Sequence, residues 1–433
     1  MILLKQAPPV LIIPSPVDKS FGLSDVLKCV TSNTRKMCMF KSLQIRKIQH
    51  MNLTVRILLY WTLVGTCLST FANESMYALE KEGTLLGLSG DFAAAKKIED
   101  QLIDLYTQPA GHVFALNTII AHLRWNGTQT KYDKELVEHV ARTLEWCEPR
   151  IDDEEFGTIA NYYCGQANSV LAYHQGLRGN YYQAGRSGTS SIGYLETTLA
   201  RDPYLVDAKM HLGAAYYVAD NLPSFIKLIS KILWFIPSGN SEKGLPYLLD
   251  VIEDGDQYRD AARYIYSILL IDTPELRLKA SNQLRHLVSH YPANSRFQLR
   301  LISLLISMND YEGTLSIISD YLDSQKPVEA DLSLAKIWKV QAYLGLGETE
   351  LARSTFNEIE PVFRNPGDEL PGWRRTWFIL TGGQLHDLAN NREQARDAYK
   401  EILSIAKNTR VNVVILDAAR SGLSNPYRLQ TGH

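Results

Sequence analysis

Beyond residue 72 the chain is divided into periodic apolar segments by prolines that fall mostly between them, at Pro109, Pro149, Pro203, Pro237, Pro274, Pro292, Pro361 and Pro366. Proline lacks a backbone N–H and crowds the turn before it, so helices end or begin near it. Between these breaks apolar residues recur every three or four positions, and no strand-like alternation of period two intervenes. The spacing predicts an all-α chain. A helical chain this long can be a bundle or a row of stacked helix pairs, and self-similarity at a fixed period decides between them.

That self-similarity is present. Trp338, Ala342, Tyr343, Gly347, Ala352, Phe356 and Ile359 recur at offsets matched by Gly383, Leu388, Ala395, Tyr399 and Ile402, with Gly383 and Ala395 twelve residues apart. Small residues at two such positions let antiparallel helices approach closely, while the aromatic that follows fills the gap between pairs. Glu82, Leu86, Gly90, Asp91-Phe92, Ala94-Ala95 and Ile98 follow a similar plan. The central region carries the most specific run: Gly165, Ala167, Leu171, Gly176 to Tyr181, Ala184, Tyr194-Leu195, Asp202-Pro203, Asp207-Ala208, Leu212-Gly213, Tyr216-Tyr217 and Leu222-Pro223. It closes with an apolar stretch to Ile236 and the turn Pro237 to Leu245.

The spacing is that of the tetratricopeptide (TPR) unit. The central run resembles a group of exported bacterial TPR proteins of undefined biochemistry and, more distantly, the eukaryotic tetratricopeptide-repeat-39 family. The resemblance covers residues 76 to 410. It implies a TPR-like α-solenoid of antiparallel helix pairs, and no catalytic motif comes with it. The repeat domain is expected over residues 73–423, followed by a flexible tail at 424–433.

The N-terminus reads differently. From Met51 a basic start is followed by an apolar, uncharged stretch from Ile57 to Leu68, and then by Ser69-Thr70-Phe71-Ala72. Small residues at Thr70 and Ala72 suit a signal peptidase, so a signal sequence is expected over 51–72 with cleavage between Ala72 and Asn73. The stretch falls short of the roughly 20 apolar residues that span a bilayer. Residues 1–50 carry Pro8-Pro9, Pro14 and Pro16 and no sustained period; they are expected to be a spurious or disordered extension. Cys67 follows Thr66 inside the apolar run, a poor fit to a lipidated cysteine. Processing would leave Cys147 and Cys164. Counting about 1.5 Å per residue up the helix beyond Pro149 puts them about 15 Å apart, too far to bridge, so two buried free thiols are expected.

The charges nearly cancel, with 45 basic against 47 acidic residues, which argues against a nucleic-acid partner. The Ser238 to Gly244 turn has the wrong order for a phosphate loop. Gly185-Arg186-Ser187-Gly188 lacks the last glycine of a nucleophile elbow, since Thr189 stands there. His286 and His290 share a helix face but want further ligands for a metal. No catalytic residue, cofactor or metal is expected.

What remains is binding. Tyrosines concentrate in the middle third, and the first helix of each TPR unit lines a groove through its second, fifth, ninth and twelfth residues. Met210 and Tyr217, Trp377, Gln384 and Asp387, together with Tyr163 and Tyr173, are the expected partner-groove residues. For any single aromatic a place in the core is the plainer reading. The expected function is a non-enzymatic scaffold for a protein or peptide partner, in the periplasm or outside the cell. The alternative is a carrier of a hydrophobic or lipid ligand, walled by the apolar helix 222–236, which otherwise reads as a buried packing helix.

Overall fold

The computed structural model describes residues 75–429 except 128, 222–240, 272, 325–328, 365–371, 408–410 and 412. The extension, the signal sequence, the Ala72–Asn73 junction and the apolar helix 222–236 all lie outside the described residues.

Among the described residues the structure is helical, with no strand. In chain order the helices are α1 (75–89), α2 (Phe92–Leu105), α3 (Ala110–Trp125), α4 (Asp133–Cys147), α5 (Gly157–Leu177), α6 (Tyr181–Arg201), α7 (Ala208–Asp220), α8 (Ser241–Asp254) and α9 (Arg259–Leu270). They continue as α10 (Arg277–His290), α11 (Ser295–Ser307), α12 (Tyr311–Ser324), α13 (Glu329–Gly345), α14 (Thr349–Arg364), α15 (Gly372–Leu388), α16 (Arg392–Ile405) and α17 (Val413–Ser424). From α2 on, each helix packs against the next. Odd-numbered helices also pack against one another, α3 on α5, α5 on α7, α7 on α9, α11 on α13, α13 on α15 and α15 on α17. The all-α reading and the series of packed neighbouring pairs are therefore what the structure contains. One boundary differs from the sequence reading: Pro361, expected between segments, lies in the last turn of α14. So near a helix end, proline costs one backbone bond and little more.

Five of the turns from odd to even helices repeat a single geometry. Gly90, Gly179 and Gly347 sit at φ of 89°, 78° and 81°, and Asn309 and Asn390 at 59° and 60°. In each turn the residue after the left-handed one donates its N–H five residues back: Asp91 to Leu86, Asn180 to Gln175, Asp310 to Leu305, Glu348 to Tyr343 and Asn391 to His386. These are Schellman closures, which satisfy carbonyls orphaned at a helix end and reverse the chain sharply. Asp91 and Asp310 then cap the following helix, accepting from Ala94 N and Gly313 N at 2.9 Å.

Small residues set the closest approaches. A Cβ built on Gly213 of α7 would lie 2.7 Å from Gly244 O, and one on Gly244 of α8 would lie 2.8 Å from Gly213 O. Two glycine backbones are thus in contact, and twenty residues, 221–240, join the helices that carry them. At Gly383 a Cβ would meet Tyr399 Cε1 at 2.9 Å, while Ala395, twelve residues on, is fully buried. The core divides along the chain into two large clusters, one running from Met76 to Leu305 and another from Leu299 to Ala419, with α11 feeding both, and a smaller third among α3, α4 and α5.

The cysteines correct the sequence reading. Cys147 and Cys164 are both fully buried and form a disulfide with Cα atoms 5.8 Å apart. The count along the helix ignored the connection: residues 148–156 carry the chain past the end of α4 before α5 doubles back, and this returns Cys164 to the level of Cys147. The tail also differs from expectation. Tyr427 packs against the second core and its N–H donates to Asp387 at 2.7 Å.

Candidate functional site

The first helix of the row does not end in solvent. Tyr77 donates to Asp256 at 2.8 Å, and Lys81 pairs with the same carboxylate. Gln257 Nε2 donates to Thr84 at 3.2 Å, and Asn294 Nδ2 to the Leu88 carbonyl at 2.8 Å. On the other side of this junction Asn117 of α3 donates to Tyr258 Oη at 3.1 Å. Asp207, just before α7, accepts from Gln257 N at 2.9 Å and fixes the start of α9. Helices more than 170 residues apart in sequence thereby become neighbours.

They line a cavity of about 130 Å³ that is partly open to solvent. Its walls are apolar, with Leu88 and Phe92, Phe114 and Ile120, Met210 and Phe297. Polar groups converge on it as well: Thr84, Asn117, Arg124, His211, Tyr258 and Arg296. Except for Phe92 and for Tyr258, the residue that caps α9, all of these belong to odd-numbered helices, so the row of closely packed helices also lines the hollow.

The charges there are uncompensated. The Arg124 side chain is half-buried, and desolvation pulls its pKa down; the aromatic ring of Tyr173 lies 5.7 Å beneath it. Arg296 is also pulled down by burial; its Nη2 donates to His122 Nδ1 at 2.8 Å and its guanidinium stands 4.5 Å over the Phe92 ring. Neither forms an ion pair with a carboxylate among the described residues. Burial first, and Arg296 second, push His122 down to about 4. Burial and then Arg124 push His211 down to about 3. Both imidazoles are therefore neutral. His211 Nδ1 lies 3.4 Å from Ser169 Oγ, while its buried Nε2 has no hydrogen-bond partner. In the same helical row Glu80 is buried, and desolvation lifts its carboxyl to about 7.

The residues expected to line a partner groove separate into two groups. Met210 lines the cavity, and Tyr173 lies under Arg124. The others make internal contacts. Tyr163 is buried edge-on to Trp146 at 6.1 Å, and Tyr217 donates to the Leu269 carbonyl at 3.0 Å, bridging α7 and α9. Trp377 is buried edge-on to Trp338 at 6.5 Å, and Gln384 accepts from Gln341 at 2.7 Å. Asp387 accepts from Arg392, Tyr399 and the Tyr427 N–H, joining α15, α16 and the tail. The positional count found residues of the odd helices' packed face, but most of that face is buried against the next pair.

Sequence reasoning missed Arg124, His211 and Arg296. One signal was available: α3 reads AGHVFALNTIIAHLRW and is apolar almost all round, so a cation within it has to be buried or at its end. The carboxylates and imidazole of Glu99, Glu135 and His139 also converge, with His112 Nδ1 2.9 Å from His139 Nδ1. Lys96 already pairs with Glu99 there, placing a positive charge where a metal would sit. His286 and His290 stack at 3.9 Å, and His290 Nδ1 is engaged near the His286 carbonyl at 2.9 Å. No described helix is long and apolar enough to cross a membrane. No family model matches the chain, and no curated protein matches it.

Proposed function

We propose that the chain is a non-enzymatic, TPR-like binding scaffold that works outside the cytoplasm and holds a protein or peptide partner. The observation that carries this reading is the repeated hairpin: five odd-to-even turns with the same closure, joined to a row of odd helices that pack on one another. Such arrays gain burial from their neighbours and leave a long ordered surface for recognition. Export is supported by the signal-like pattern at 51–72 and by the Cys147–Cys164 disulfide, since such bonds persist mainly in oxidising compartments. Affinity capture with the purified chain should return the same partner across independent preparations, and repeated capture of nothing specific would sink the scaffold reading. Sequencing the N-terminus of the exported product should read from Asn73.

A second reading is favoured by one observation, the apolar cavity among α1, α3, α7, α9 and α11. On that reading the chain carries a small apolar ligand. The walls described are these helices; the segment 222–236, the wall expected from the sequence, lies outside the described residues. Native mass spectrometry of the chain taken directly from its source would show a bound mass; apo protein alone would remove the idea.

A further inference from the structure

A buried guanidinium without a carboxylate is costly, because charge leaves water and nothing of opposite sign replaces the lost solvation. Among the described residues Arg124 is largely in this position, and it lines the cavity. Arg296, on the same cavity, touches a neutral imidazole and an aromatic face, and the Asp331 carboxylate acts on it only through space. His211 adds a third group. If Ser169 donates to Nδ1, the proton of the neutral ring sits on Nε2, a buried donor with no partner; the other donor, Arg124, is close enough to depress its pKa. Three donors, two of them cationic, meet apolar walls.

We propose that this cavity receives a small apolar monocarboxylate, its carboxylate held by Arg124 with help from His211 and Arg296, and its ring or short alkyl chain packed among Phe114, Met210 and Phe297. A guanidinium presents two parallel N–H groups to a carboxylate, the pairing that best offsets the desolvation of both. The apolar wall excludes inorganic anions, which would lose hydration without gaining contact. Size limits the ligand further: a cavity of about 130 Å³ is comparable with the roughly 150 Å³ hollow that holds one benzene ring. The proposal rests on the carrier reading and adds the charge and size of what is carried.

The test uses the purified full chain and three probes, benzoate, benzamide and inorganic phosphate, followed by titration calorimetry and by protein NMR shifts. Benzoate should bind at least tenfold more tightly than benzamide, and phosphate should not bind measurably. In Arg124→Met, benzoate affinity should fall to that of benzamide while benzamide affinity stays unchanged. Equal binding of benzoate and benzamide would leave the apolar cavity standing and overturn the anion. Phosphate binding as tight as benzoate would overturn the apolar part. If neither aromatic probe binds, the proposal and the carrier reading fall together. The comparison of probes on the unaltered chain holds even if the variant does not fold.

Discussion

The two cores of this chain handle buried charge in opposite ways. In the C-terminal one, Arg374 pairs with Asp331 at 2.6 Å and Arg392 with Asp387 at 2.8 Å. In the N-terminal one, Arg124 and Arg296 line a hollow and no carboxylate meets them among the described residues. Both stretches use the same closing turns and the same packing of odd helices. The difference shows that a repeat array does not itself require charge matching. Where it is matched, charge fastens neighbouring elements together; where it is not, the fold holds groups whose solvation has to come from something else.

The contrast should break most visibly at Asp387. Its side chain is fully buried and gathers Arg392, Tyr399 and Tyr427, so Asp387→Ala should cost about 3–5 kcal/mol in urea unfolding, the usual loss when one partner of a buried pair is removed. Arg124→Met should cost nothing or stabilise the chain; equal losses for the two variants would erase the comparison.

The disulfide is next. Cys147 and Cys164 close a loop with a sequence separation of 17, and replacing both with serine should cost about 3 kcal/mol. Thiol titration of the unfolded, unreduced chain should find neither cysteine free.

The N-terminal core should also respond to pH in a way the C-terminal pairs do not. Glu80 has a folded pKa of about 7 against an ordinary value of 4.5, so the native state keeps a proton that the unfolded chain releases between these values. Stability is therefore full below pH 4.5 and falls as pH rises to 7. Glu80→Gln should recover about 3 kcal/mol at pH 8 and nothing at pH 4. His211 and His122 work in the other direction, held neutral at about 3 and about 4 against an ordinary 6.5. Their contribution is full above 6.5 and lost as pH falls toward these values. The two histidines together outweigh Glu80 below about pH 7, so thermal melts should rise from pH 4 and level off at about pH 7, and a flat profile from pH 4 to 8 would contradict both assignments.

Smaller effects test the shared architecture. Gly213→Ala pushes a methyl into the Gly244 carbonyl and should cost about 1–3 kcal/mol. Removing the caps, Asp91→Ala in one core and Asp310→Ala in the other, should cost about 1 kcal/mol each. Unequal losses would mean that the two turns, alike in geometry, differ in energy.

Periodicity, proline placement and the twelve-residue spacing of small residues were enough to determine an all-helical row of pairs, because a helix's apolar stripe and its close contacts are local to a few turns of chain. The left-handed turn residues were legible too, as Gly or Asn followed by Asp, Asn or Glu. The disulfide was not, since it depended on how far a nine-residue connection runs before turning back. The cavity was less legible still. It forms because α1 reaches α9 and α11 through Tyr77, Lys81, Thr84 and Leu88, contacts between residues more than 170 positions apart. Counting could not show which of the groove residues face solvent, for the same reason. A position in a repeat fixes the direction in which a side chain leaves its helix, but only the packed neighbours decide whether that direction meets solvent, core or a hollow.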